Sequence, residues 1–318
     1  MSVKNGKAFE YACLRSIHES LSPAQDVSIV TTPQFETANR YFLESTEKMR
    51  GKFVMAANAA TRVIIRLEPQ LEYPANNIPL YLSIQPDSQG QVGDVRDVLC
   101  IRKQNEWEIG LSCKHNHHAV KHSRLSATID FGAKWFGIPC SDRYFATIKP
   151  IFEELDTIRE DSGATASWSN MAHKNERFYV PVLRAFIDEL QRLDQSNPSI
   201  IPEMLIRYLI GKNDFYKVIT NDREKTTRVE AINIAGTLNR PSGGKHSITN
   251  VARLRLPKRF YNVYFKNSSD TTMEIVCDEG WSISLRIHNA SSRVEPSLKF
   301  DVNLISLPST IHAQVEPW

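Results

Sequence analysis

Apolar residues first recur at helical spacing in residues 6–21, GKAFEYACLRSIHESL. There Phe9, Ala12, Cys13, Ile17 and Leu21 line one face of an amphipathic helix. A second helix is predicted around 34–59, ending near the Ala-Ala-Asn-Ala-Ala stretch. Residues 61–66 (TRVIIR) and 79–84 (PLYLSI) read as short strands, and 87–93 (DSQGQVG) as a turn-rich loop. Two strands follow, 97–102 and 107–114, joined by the polar tetrapeptide 103–106, which is a hairpin signal. Residues 142–160, 171–194 and 202–212 carry helical patterns. From about 226 the chain is strand-rich: TTRVEAINIAGTL, RFYNVYFK, TMEIVCD, WSISLRIHNA and LKFDVNLIS. There is no internal repeat. The order α, β, α, then β predicts an α/β fold with a mixed sheet flanked by helices. The β-rich C-terminal region extends that sheet or forms a separate lobe. The break at 162–169 is the best internal boundary, giving regions 1–162 and 163–318.

Composition narrows the class. The 318 residues are 41% apolar and 24% charged, enough for a real core in one large domain or two ordinary ones. Disordered, fibrous and coiled-coil classes are excluded. The net charge of +3 neither demands nor excludes nucleic acid, so local distribution decides. Five cysteines, at 13, 100, 113, 140 and 277, form no CxxC pair, which argues against a cysteine zinc site and a disulfide scaffold. No signal core and no run of 18 apolar residues appear. A cytoplasmic protein without a membrane anchor is expected.

The hairpin carries the chemistry. Its turn sets a register in which paired positions sum to about 209, so Asp97 faces Ser112. Directly opposed side chains sit about 4.5–5.5 Å apart at Cβ. Ser112 and Lys114 share a face because strand periodicity is two. Asp97, Ser112 and Lys114 therefore converge at one end, with Glu108 and Gly110 farther along the same face. An acid and a lysine so placed suit metal-dependent phosphodiester hydrolysis. The carboxylate holds a divalent cation that polarises the phosphate and activates water. The lysine orients that water or offsets charge in the transition state. The plain alternative is a surface hairpin with an ordinary Asp and Lys.

These residues resemble the core of the PD-(D/E)xK nuclease superfamily. That group sets an acid at the start of one strand and a D/E-x-K tripeptide on the next. Asp97 and Lys114 match the first acid and the lysine, but Ser112 stands where an acid is usual. Some restriction endonucleases with a Ser-x-Lys variant take the missing carboxylate from elsewhere. The resemblance implies Glu10 in the N-terminal helix first, then Asp130, 16 residues after Lys114; Glu108 sits two pairs away. It implies Mg2+ as cofactor, held by Asp97 and Glu10. More narrowly, GKAFEYA, EIGLSCKHNHHAVKHSRLS (108–126), LIGKNDFYKV (209–218) and GWSISLRIHNASSRVEPSLKFD (280–301) resemble HaeIII-type restriction endonucleases. That likeness implies a Type II enzyme cutting double-stranded DNA, with the target GGCC. The region 1–162 then reads as nuclease core and 163–318 as a DNA-recognition region.

Basic segments supply candidate DNA contacts. In KHNHHAVKHSR (114–124), His115, Asn116, His117, Lys121 and Arg124 are candidates to meet phosphates beside the cut. Four crowded histidines with no acid or Cys make a poor metal site. Residues 231–269 contain no acid. There Arg240 and Lys245, in a flexible Gly-Gly loop, and Arg253 and Arg255 suit a surface that wraps DNA. Arg286, His288, Asn289, Arg293 and Glu295 form a polar cluster. Arginine bidentate to guanine and glutamate accepting from cytosine make Arg286, Arg293 and Glu295 base-reading candidates, with structural ion pairs as the alternative. Asp214, Tyr216 and Lys217 read as helix-end packing. A palindromic target is naturally met by a two-fold homodimer. Two other hypotheses stand beside the restriction enzyme: a sequence-specific DNA-binding protein with a degenerate nuclease core, and a structure-specific repair nuclease.

Overall fold

The structure, a computed structural model, describes residues 3–73, 78–116, 121–163 and 166–318. The chain forms two compact units that do not divide at 162. The first comprises Met1–His118, Gly211–Leu254 and Thr310–Trp318; the second comprises Ala119–Ile210 and Arg255–Ser309. The expected boundary fails because strand pairing joins segments far apart in sequence, which linker composition does not reveal.

The first unit opens with α1 (Val3–Leu21), β1 (Val27–Ile29), α2 (Pro33–Glu44), α3 (Glu47–Leu67) and α4 (Pro69–Glu72). The single helix expected at 34–59 is two helices. Thr32 caps α2, its hydroxyl accepting from the Phe35 N–H, and Thr46 caps α3 by accepting from Met49. Residues 61–66 end α3 rather than forming a strand. Ala60, Val63, Ile64 and Leu67 are buried at helical spacing, while Arg62 and Arg66 reach Glu316. A short β-branched run does not separate the two periods by itself.

The seven-stranded sheet of this unit holds β2 (Leu80–Ile84), β3 (Val98–Arg102), β4 (Trp107–His115), β6 (Phe215–Asn221), β7 (Thr226–Ile232) and β12 (Ala313–Pro317), in the order β1-β2-β3-β4-β6-β7-β12. It is mixed, with β1/β2 and β4/β6 parallel. Its core face, including Val98, Ile109, Leu111, Cys113, Val218 and Val229, belongs to one apolar cluster with α1 and α3. Asp214, Tyr216 and Lys217 are not helix-end packing. Asp214 accepts N–H bonds from Ile234, Ala235 and Thr237, and the other two lie in β6.

The second unit contains β5 (Lys121–Leu125), α5 (Phe131–Phe136), α6 (Asp142–Ser162), α7 (Val180–Ser196) and α8 (Ile201–Ile210). The start expected for α7 at 171 is later, after a π-helical turn at Asn175–Tyr179. Its antiparallel sheet adds β8 (Phe260–Phe265), β9 (Thr272–Cys277), β10 (Ser282–Asn289) and β11 (Leu298–Ser306), in the order β5-β11-β10-β9-β8. One face, with Leu285, Ile287, Phe300 and Val302, is buried, and Phe186 of α7 meets Phe300 at 4.9 Å. The other carries Arg286, His288, Lys299 and Asp301. No helix among the described residues is long and apolar enough to cross a membrane.

Glu68, at the end of α3, is fully buried. Its Oε1 accepts from the Tyr216 hydroxyl at 2.6 Å and the Asn239 N–H at 2.7 Å, while Oε2 has no hydrogen-bond partner. Burial pushes its pKa from 4.5 up to about 7, against the pull of those donors. The folded state thus holds this proton more tightly than the unfolded chain. Its contribution is present below pH 4.5 and is lost as pH rises through 7. Glu68→Gln is expected to remove ~3 kcal/mol of the stability that wild type loses between pH 5 and 8. Urea melts of both proteins across that range check it; parallel pH profiles would refute it.

Candidate active site

The hairpin has the register expected from its turn: Val98 pairs with Leu111, Leu99 with Gly110 and Arg102 with Trp107. Asp97 stands one residue before β3, where its N–H donates to the Leu111 carbonyl at 2.7 Å. Its carboxylate turns back over β4. Oδ2 accepts from the Cys113 N–H at 2.6 Å and lies 3.6 Å from Lys114 Nζ. Ser112 is buried beside them. The sheet and hairpin thus bring Asp97, Ser112 and Lys114 together.

Glu10 reaches the same place from α1. Its carboxyl is only 7% exposed, and Lys7 Nζ donates to Oε2 at 3.0 Å. Burial, then the charge of Asp97, pushes its pKa from 4.5 up to about 8, while Lys7 and Lys114 pull it down. Two carboxylates and two ammonium groups therefore lie within electrostatic reach of one another. Lys7 itself is raised: burial opposes its charge, but Glu10 and Asp87 outweigh that.

Asp130 has another task. In the second unit it caps α5, accepting from the N–H groups of Ala133 at 2.8 Å and Cys140 at 3.1 Å. Against the effect of burial, these bonds hold its carboxyl below the usual range. Glu108 is bound to Arg96 Nη1 at 2.6 Å. Among the described residues, no set of three His, Cys, Asp or Glu is arranged to hold a metal ion. Asp97 and Glu10, whose charges interact beside Lys114, are two acids that could hold one together with non-protein ligands.

Several groups escaped sequence reasoning. Arg96 is buried, with its guanidinium bidentate to Asp94 at 2.8 and 2.7 Å. Its side chain lies over Gly110. Lys217 is buried on β6 and pairs in register with Ser112. Burial lowers its pKa, the cations Lys114 and Arg228 add to that, and Glu230 opposes it. No local signal announces Lys217, because the parallel β4/β6 pairing joins positions 112 and 217. Lys7 stands three residues before Glu10, the one spacing that could have drawn notice.

The DNA-contact candidates divide. His115 is buried, edge-on to Phe53, with Nε2 3.3 Å from Asp222, so it does not face phosphates. Asn116 is exposed, but its side chain is engaged, Oδ1 accepting from the Asp222 N–H. His117 and the side chain of Lys121 lie outside the described residues. The 240–246 loop is anchored rather than flexible. Ser242 and Lys245 bridge each other, and Pro241 accepts from Gln70. Arg240 and Lys245 are exposed on it, as is Arg253, whose Nε donates to the Ile234 carbonyl. In the second unit, Arg255 and Arg293 are exposed. Arg124 is paired with Glu295 at 3.2 Å, and Arg286 with Asp301 at 2.9 Å. His288 Nε2 stands 3.0 Å from that same Asp301 oxygen, off the line of a good hydrogen bond. Asn289 bonds Tyr179 and the Ser291 carbonyl. The ion-pair alternative thus describes Arg286 and Glu295, the latter through Arg124.

A family model described as HaeIII restriction endonuclease matches residues 6–308. The Type II restriction enzyme HaeIII of Haemophilus aegyptius is 39% identical over 314 residues, 99% of this chain and 97% of that one. No solved structure matches the chain.

Proposed function

The chain belongs to the HaeIII restriction endonuclease family, and from that premise we propose a Type II restriction endonuclease that hydrolyses double-stranded DNA with Mg2+ at GGCC. The observation that carries this reading is the 3.6 Å contact of Lys114 with Asp97 beside the buried Glu10 carboxylate.

Asp97 and Glu10 are the residues that would hold Mg2+. Both offer oxygen ligands, and Mg2+ is commonly bound by one or two carboxylates together with waters and substrate phosphates. The burial and mutual repulsion that raise the Glu10 pKa are costs that a dication would offset. When bound, the ion neutralises charge on the scissile phosphate and makes its water more acidic. The Cys113 N–H fixes the carboxylate of Asp97. The Lys114 ammonium, loosely tied to Asp97, orients toward a phosphate oxygen or the attacking water, where negative charge grows. Lys217 adds positive potential beside Ser112. In this reading Ser112 leaves an acid position unfilled, and Glu10 stands in for it.

Exposed Arg240, Lys245, Arg253 and Arg255 suit phosphates, each neutralised phosphate adding to the salt dependence of binding. Exposed Arg293 suits a guanine edge, and Arg286 and Glu295 would reach bases only by leaving their ion pairs with Asp301 and Arg124. A palindromic target suits a homodimer.

The test is incubation with unmethylated phage DNA and Mg2+, with an EDTA control, followed by sequencing of the ends. Discrete fragments ending in GG and CC are expected, and only with Mg2+. Random nicks would point to a repair-type nuclease. Intact DNA with a salt-sensitive gel shift would point to a binding protein with a degenerate core.

A further inference from the structure

Lys7 lies one turn before Glu10 on α1, and its ammonium enters the candidate site. Nζ donates to Glu10 Oε2 at 3.0 Å and also to Asp87 Oδ1. Only 14% of the Lys7 side chain is exposed, whereas Asp87 is 76% exposed. Lys7 therefore bridges a buried acid of the site to a solvated acid at its rim. Buried carboxylates require compensation, and Lys7 supplies it to Glu10 from within the chain.

The same Oε2 cannot serve both this ammonium and a dication at the ~2.0–2.1 Å typical of Mg2+ ligands without strong repulsion between the two. We propose that Lys7 is the built-in counter-ion of the metal-binding carboxylate. It holds Glu10 in place until a divalent cation arrives, then moves fully onto Asp87. The inference rests on the reading of Glu10 and Asp97 as metal ligands. Lys7 is thus a competitor of the metal, and Asp87 is the group that draws it away. Independent fields of the two charges would add, whereas a competition resolved by Asp87 makes the effect of Asp87 depend on the presence of Lys7.

The test uses Mn2+ as a stand-in for Mg2+, titrated alone into the DNA-free full-length protein, with free ion read by electron paramagnetic resonance. Lys7→Met is expected to tighten Mn2+ binding about fivefold, the lower end of the usual range of coupling between sites, and Asp87→Asn to weaken it about threefold, less because its acid is solvated. Lys7→Arg should stay near wild type. The double variant K7M/D87N should bind as K7M does, because Asp87 acts through Lys7. Glu10→Gln separates the two levels of the argument. If E10Q binds Mn2+ as wild type does, the metal-site reading fails and takes this inference with it. If E10Q loses binding but K7M binds no tighter, the role of Lys7 alone is overturned. Should K7M not fold, D87N decides, because its acid is exposed: unchanged or tighter binding there refutes the proposal.

Discussion

Asp97→Asn is expected to lower Mg2+-dependent cleavage by at least about a thousandfold, given that metal stabilisation of transition-state charge is worth several kcal/mol. DNA binding in the absence of Mg2+ should stay within about threefold, since one interior acid adds no phosphate contact. The substitution is nearly isosteric. The amide oxygen can still accept from the Cys113 N–H at the 2.6 Å position of Oδ2, so the strand register has no reason to change. What is lost is the charge, and with it an anionic metal ligand and the partner of Lys114 at 3.6 Å. Single-turnover cleavage and gel-shift titration on the same oligonucleotide duplex separate the two effects. Full cleavage by D97N would remove Asp97 from the site. Parallel loss of binding and cleavage would make it a folding residue instead.

The part of this site that was legible in the sequence is the part built from local pairing. A short turn fixes a hairpin register, so Asp97 beside Ser112 and Lys114 follows from counting. Glu10 came from resemblance, and the structure brings it within reach of the charges on Asp97 and Lys114. The groups that counting missed arrive by other routes. Lys217 reaches Ser112 through a parallel pairing across more than a hundred residues. Arg96 precedes Asp97 but acts through Asp94, Glu108 and the bare backbone of Gly110, a side-chain arrangement with no periodic signature. The same limit explains residues 61–66, where a β-branched run was continued as helix by burial against the sheet. It also explains the boundary at 162. β5 pairs with β11 and β12 with β7, and such long-range pairings are not written into linker composition.

Gly110→Ala should be nearly as damaging as loss of Asp97, although it removes no functional group. A Cβ at 110 would sit 2.3 Å from Cδ, 2.7 Å from Cγ and 2.8 Å from Cβ of Arg96. These are the near atoms of that side chain, so no rotation of its far end relieves the clash. The far end is also held, bidentate to Asp94 and 2.6 Å from Glu108. The backbone of Arg96 must therefore shift, and the next residue is Asp97. Gln85 ties both together, its side chain donating to the Arg96 carbonyl and its N–H to the Asp97 carbonyl. Overpacking of this kind costs about 1–3 kcal/mol of stability. A displacement of about 1 Å at a reacting group costs roughly a hundredfold in rate. Cleavage by G110A is thus expected to fall about a hundredfold or more at a temperature where circular dichroism reports a folded protein. Truncating Arg96 removes most of the atoms that the new methyl meets. G110A should then cost less in the R96A background than in wild type, because only the 2.8 Å contact with Cβ of residue 96 remains, a non-additive pattern diagnostic of direct contact. Wild-type cleavage by G110A, or simple additivity in the double variant, would show that Asp97 is not held through this contact.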